Sequence, residues 1–305
     1  MIKSLRFIVP LLLCFSVSVS AQKSSIKFVV TENKLNTEKG EQPAYIIHIP
    51  DAGPAAVTKE WLNAIRGSSK SKPVQIENKI EITATEIEQI HDQPFNIYSM
   101  VYQVDTSVRV VAAFEIDSVF FVPPGDESDH EAMKTHNHIR KFMEDFAREQ
   151  YHEVVANLLE TEKDKLKDLE KEHKNEVKEN ENLKKEIREN EQNIRNSNDA
   201  ITTYENDNAR LLADITAKRD AIAGLSGDEA LRDQAKDQLK SLEKEKKNIE
   251  GKLAKEQKNI VKYESNIEEL NRQVEANEKQ QETTRVSIEA QKERVKQVSD
   301  HLNQI

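Results

Sequence analysis

The sequence predicts a small α+β domain followed by a long all-α antiparallel coiled-coil hairpin. Three observations carry this. No proline follows Pro124 and no phenylalanine follows Phe146, so the second part of the chain lacks both helix breakers and large core aromatics. From Leu159 onward apolar residues recur at a period of about 3.5, the signature of a coiled-coil seam. A helix stop and a helix start then sit side by side between Gly224 and Glu229.

Residues 1–21 read as a secretory signal peptide. Lys3 and Arg6 form a basic start, Phe7 to Phe15 an apolar stretch broken only by Pro10, and Val19-Ser20-Ala21 a small-residue cleavage signal before Gln22. The apolar run falls short of the roughly 20 residues that span a bilayer. The single cysteine, Cys14, lies inside it, so the mature chain is expected to carry neither a thiol nor a disulfide. The Ser-Ala-Gln ending after a serine-containing apolar run resembles exported proteins of the Bacteroidota. The resemblance covers these first 22 residues and implies a periplasmic or secreted location, with no activity attached.

Residues 22–125 form the predicted α+β domain. Ile26 to Val30 and Tyr45 to Ile49 are β-prone. Pro54 suits the first turn of a short helix and Gly67 its C-terminal cap, with Val57, Trp61, Leu62 and Ile65 on one side. Three alternating runs follow: Ile80/Ile82/Ala84, Tyr98/Met100/Tyr102/Val104 and Val108/Val110/Ala112/Phe114/Ile116. Period-two alternation predicts an antiparallel sheet with one buried face, and Val119 to Val122 a further short strand. Ser128 and Glu131 make a capping-box pattern. The helix behind it, in residues 126–158, carries a broad apolar stripe through Ile139, Phe142, Met143, Phe146 and Tyr151, wide enough to cover a sheet. It is expected to run on into the coil.

The first coiled-coil arm spans 159–224. Leu159, Leu166, Ile187, Ile194, Ile201, Ile215 and Ile222 share one seam position, which His173, Asn180 and Asn208 interrupt as polar residues. Gly224 suits the left-handed residue after a helix, and Ser226 with Glu229 forms a second capping-box pattern around Gly227, giving a turn at 225–228. The second arm, 229–305, restarts the heptad through Leu239, Leu253, Ile260, Ile267, Val274, Ile288 and Val295, with Asn277 as its polar seam residue. The stretches Gln150–Gly224 and Glu229–Ile305 are nearly equal, each about 110 Å long as helix, as a hairpin requires. Two registers fit. One sets Asn180 against Asn277, Glu176 against Gln281 and His173 against Thr284; a tight turn centred at Leu225 favours a register one heptad away.

Chemistry is sparse. His130, His136 and His138 lie among carboxylates, yet helical geometry points His130 and His136 apart, and the zinc-protease spacing is missing. No phosphate-binding glycine loop, nucleophile elbow or Cys–His pair is present. No catalytic residue, cofactor site, metal site or small-molecule substrate is therefore expected. A net charge of −10 argues against nucleic acid. The expected function is a non-enzymatic exported structural or interaction protein that presents the hairpin to a protein partner in the cell envelope. Self-association through the coil is a further route. The alternative is a periplasmic holdase chaperone with coiled-coil tentacles, which resembles this chain in architecture only.

Overall fold

The computed structural model describes residues 27–125, 129–225 and 229–305, and divides into two units. The first comprises residues up to Leu159 together with Gln297–Ile305. The second is Glu160–Lys296.

The first unit holds an antiparallel sheet of β1 (Thr31–Thr37), β2 (Gly40–Pro50), β3 (Val74–Ile76), β4 (Lys79–Thr85), β5 (Phe95–Val104), β6 (Ser107–Ile116) and β7 (Val119–Phe120). The strand order is β1-β2-β6-β5-β4-β3, with β7 paired to the end of β6. Asp117 and Ser118, both at positive φ, form the two-residue loop between β6 and β7, the geometry that matches strand twist in a tight hairpin. One correction concerns the start. Lys27–Val30 lies outside the ladder, and the first strand begins at Thr31; Phe28 and Val30 are nevertheless buried.

Helix α1 (Pro54–Arg66) forms as its sequence requires. Proline opens it, and Gly67 closes it at φ 53°. Gly67 is needed for a second reason: a Cβ there would collide with the carbonyl of Glu86, to which Gly67 is bridged. Val57, Trp61 and Ile65 of α1 are buried. The Trp61 indole N–H donates to Ser99 Oγ at 2.8 Å, and its ring meets Phe146 at 5.0 Å.

Ser99 thus marks the helix-covered face of β5, together with Phe95, Ile97 and Val101. The alternation Tyr98/Met100/Tyr102 belongs to the opposite face. That face is also apolar: Leu35, Ala44, Ile46, Tyr98, Val111 and Ala113 make a second buried cluster. The expectation of a single buried face is corrected accordingly. At β4 the alternation also fails. The pairing shifts between Ile82 and Thr85, Ala84 sits at positive φ and is exposed, and Thr85 is buried in its place, its hydroxyl donating to the carbonyl of Ile65.

Helix α2 spans His130–Gly224 and α3 Glu229–Leu302. In the first unit, the start of α2 buries Ile139, Phe142, Met143, Phe146 and Tyr151. The end of α3 returns here, with Tyr151 hydroxyl and His301 Nε2 2.9 Å apart. The cap of α2 is Asp129, whose Oδ1 accepts from the Ala132 N–H at 3.0 Å. Ser128 lies outside the described residues, and Glu131 is exposed in the first turn.

The second face is sealed by charge. Glu115 is buried and accepts from Lys39 Nζ at 2.7 Å, Asn96 Nδ2 at 2.7 Å and Tyr98 hydroxyl at 3.1 Å. The Lys39 hydrogen bond holds this carboxyl below its usual range against the opposing effect of burial, and the same contact raises Lys39.

Two outcomes follow for stability. Trp61→Ala removes a fully buried ring and the indole donor to Ser99, and is expected to cost about 3–5 kcal/mol in urea unfolding followed by near-UV signal. A carboxyl lowered by folding stabilises above its unfolded pKa and loses that contribution as pH falls through the folded value. The stability gap between wild type and Glu115→Gln should therefore shrink between about pH 6 and about pH 3.

Candidate functional site

The second unit is an antiparallel hairpin of α2 and α3, built on the 3.5-residue period of its seam. Buried and half-buried positions recur at alternating spacings of three and four along both helices. Leu211 and Ile215 of α2 and Ile249, Leu270 and Ile288 of α3 are the most buried apolar seam residues. Between them lie polar layers, the feature of this unit with most chemical character.

The central layer gathers around Glu176, which is 8% exposed. Thr284 Oγ1 donates to Glu176 Oε1 at 3.0 Å, Gln281 Nε2 contacts the Glu176 carbonyl at 3.4 Å, and the same Gln281 amide donates to Asn277 Oδ1 at 2.6 Å. His173 Nδ1 lies 3.7 Å from Glu176 Oε2. Asn277 reaches Glu179 at 3.4 Å rather than the Asn180 amide, and Thr284 meets Glu176 rather than His173. His173 Nδ1, Glu176 Oε2, Asn180 Nδ2 and, further along α2, Asn208 Oδ1 are buried without a hydrogen bond. Each such atom carries a desolvation cost of about 1–3 kcal/mol.

Two more layers escaped the sequence reading. Glu162, buried, accepts from Gln291 Nε2 at 2.6 Å and Lys165 Nζ at 2.9 Å. Burial works to raise its carboxyl, but these donors prevail and hold it below the ordinary range. Ser197 Oγ donates to Glu256 Oε2 at 2.9 Å. A signal existed: stepping by heptads from Val155 gives Glu162, Leu169, Glu176, Leu183 and Asn190, an alternation of apolar and polar seam residues.

The arms pair in the register that sets Glu176 near Gln281 and Asn277 near Glu179. Towards the turn, Lys218 meets Gln238 at 2.8 Å and Arg219 meets Glu243 at 2.7 Å. These pairs centre the turn beyond Leu225, which rules against the register one heptad away. Gly224 ends α2 and Glu229 begins α3; Ser226 and Gly227 lie outside the described residues.

The three histidines of the first unit do not converge. His136 is buried against the sheet, its Nδ1 2.8 Å from the Tyr45 hydroxyl, and burial followed by the Arg140 charge lowers its basicity. His130 is exposed at the first residue of α2. His138 is half-buried beside a surface hollow shared with His91 and Asp92. Among the described residues no group of three or more His, Cys, Asp or Glu is placed to hold a metal ion, and no helix is long and apolar enough to cross a membrane.

The register is testable. Lys184 and Glu278 lie 2.8 Å apart across the arms. Cysteines at those two positions should be joined within one chain by a short bismaleimide, read as a mobility shift, while cysteines at Lys184 and Glu264, nearly opposite each other only in the register one heptad away, should not. No protein-family model matches the chain, and neither the curated proteins nor the solved structures compared with it give a match.

Proposed function

We propose that this chain is an exported, non-enzymatic structural protein of the cell envelope that presents its helical hairpin to a protein partner. The observation that carries the reading is the hairpin seam, where polar layers are paired across the arms through Glu162–Gln291, Glu176–Thr284 and Ser197–Glu256. A buried polar layer costs stability and returns a defined register. A fixed register gives the outer surface a fixed arrangement of side chains, which is what a specific docking surface needs.

That outer surface is polar. It carries ion pairs within each arm, such as Lys279–Glu275 and Arg285–Glu282, and across the arms, such as Lys184–Glu278. Its large exposed apolar residues, Leu212, Leu231, Val261 and Val286, are isolated along the arms. A holdase needs a contiguous apolar cradle for unfolded clients. The dispersed pattern favours a folded partner recognised through charge and shape. Export rests on residues 1–21, outside the described residues.

Lysine-directed cross-linking and mass spectrometry in intact cell envelopes tests this reading. The expected result is a same-chain link between Lys184 and Lys279 together with reproducible links from arm lysines to one or a few other proteins. Arm lysines linked only within the chain, or a hydrolytic activity lost on changing His130, His136 or His138, would overturn it.

A further inference from the structure

β1 and β3 stand at opposite ends of the strand order, yet both line one cleft on the sheet face opposite the helices. Leu35 and Asn36 come from β1, Val74 and Ile76 from β3, and Tyr98 and Met100 of β5 form the floor. Its volume is about 200 Å³, below the roughly 300–1,000 Å³ usual for small-molecule pockets. Among the described residues, β1 pairs only with β2, and β3 only with β4. Each therefore offers a second edge of N–H and C=O groups with no ladder partner. Val74 and Ile76 are 61% and 66% exposed, unusual for β-branched apolar side chains on a strand.

Charge narrows the occupant. Lys79 also lines the cleft, but the lining keeps a net negative charge from Glu38 at the β1 side and Glu81 at the β4 side. Neither takes part in any of the ion pairs among the described residues, whereas Glu41 and Glu115 nearby are paired with Lys34 and Lys39. A second copy would set the same net negative lining against itself. A segment with basic flanks would meet them favourably.

We propose that this cleft binds an extended peptide segment of a protein partner, with alternating apolar side chains and a basic residue at each end. The backbone of the segment adds to a free strand edge, and its apolar side chains fill the space over Tyr98 and Met100 between Val74 and Leu35. This surface belongs to the sheet, and the proposal stands whether or not the hairpin has a partner of its own.

The probe is a blocked, fluorescein-labelled peptide of roughly ten residues, alternating valine and threonine with a lysine at each end, titrated against the full chain by fluorescence anisotropy. Saturable binding is expected, weakened about tenfold or more by Val74→Asp with Ile76→Asp, by Glu38→Lys with Glu81→Lys, and by methylating alternate backbone nitrogens of the peptide. The substituted side chains lie at the surface, and unchanged thermal melts would show that each variant folds. Amide exchange should slow in β1 or β3 on binding. The proposal fails if binding is not saturable, if the N-methylated peptide binds as well as its parent, or if protection falls only on the coil.

Discussion

A carboxylate in the seam between two helices loses much of its water and must be given donors by its neighbours. Glu162 and Glu176 are buried in this way and Glu256 is half-buried, and each finds a donor on the facing helix: Gln291, Thr284 and Ser197. The three pairs span most of the second unit, each about one turn to one side or the other of the alignment that sets Glu176 beside Gln281. A slip of one heptad towards Leu225 would set Ser197 opposite Ile249 and leave the Glu256 carboxylate without that donor. Apolar seam residues discriminate weakly, because one leucine or isoleucine faces another in either alignment. The polar layers therefore fix the alignment that the apolar layers stabilise.

The sheet meets a similar demand by other means. Its helix-covered face is filled by Trp61, Phe142, Met143 and Phe146 against Ile47, Ile97, Val110 and Phe114. The buried cluster on the opposite face is made of strand residues alone among the described residues. Its aromatics are shielded by a cation: Lys39 Nζ stands 5.4 Å from the centre of the Tyr98 ring and 5.8 Å from that of Phe120, held by its bonds to buried Glu115. A lysine can do this because its stem covers the rings while its head stays wet. Away from Lys39, on the side of β3, nothing comparable covers Val74 and Ile76, and the cleft opens there.

Long-period features were the legible ones. The hairpin followed from the heptads and the helix signals flanking Leu225, and α1 from Pro54, Gly67 and one apolar stripe. What escaped depended on tertiary context. Tyr98 and Met100 looked like the core side of β5 because they are larger than Ser99, yet Ser99 is the residue that receives the Trp61 indole. Alternation reports which residues are apolar, and in a strand covered on both sides it does not say which face meets the helix. The bulge at Ala84 requires positive φ without glycine, so no turn residue announced it. Glu162 and Glu256 looked like solvated charge because nothing in a single helix distinguishes a seam carboxylate with a partner from one without.

The same distinction bears on what the outer charges are for. Exposed ion pairs at spacings of three and four contribute about 0–1 kcal/mol each and are screened by salt. Pairs such as Lys185–Glu189, Arg210–Asp207 and Lys292–Glu289 are of this kind, with both side chains well exposed. The hairpin is thus held by its seam, and its surface charges can be re-paired with another protein at little cost to the fold. The seam layers have less freedom, since removing Thr284 would leave the buried Glu176 Oε1 without its donor across the arms. Alignment is consequently carried by the carboxylates in the seam, which leaves those outside it free of that task, as the docking proposed for this hairpin requires.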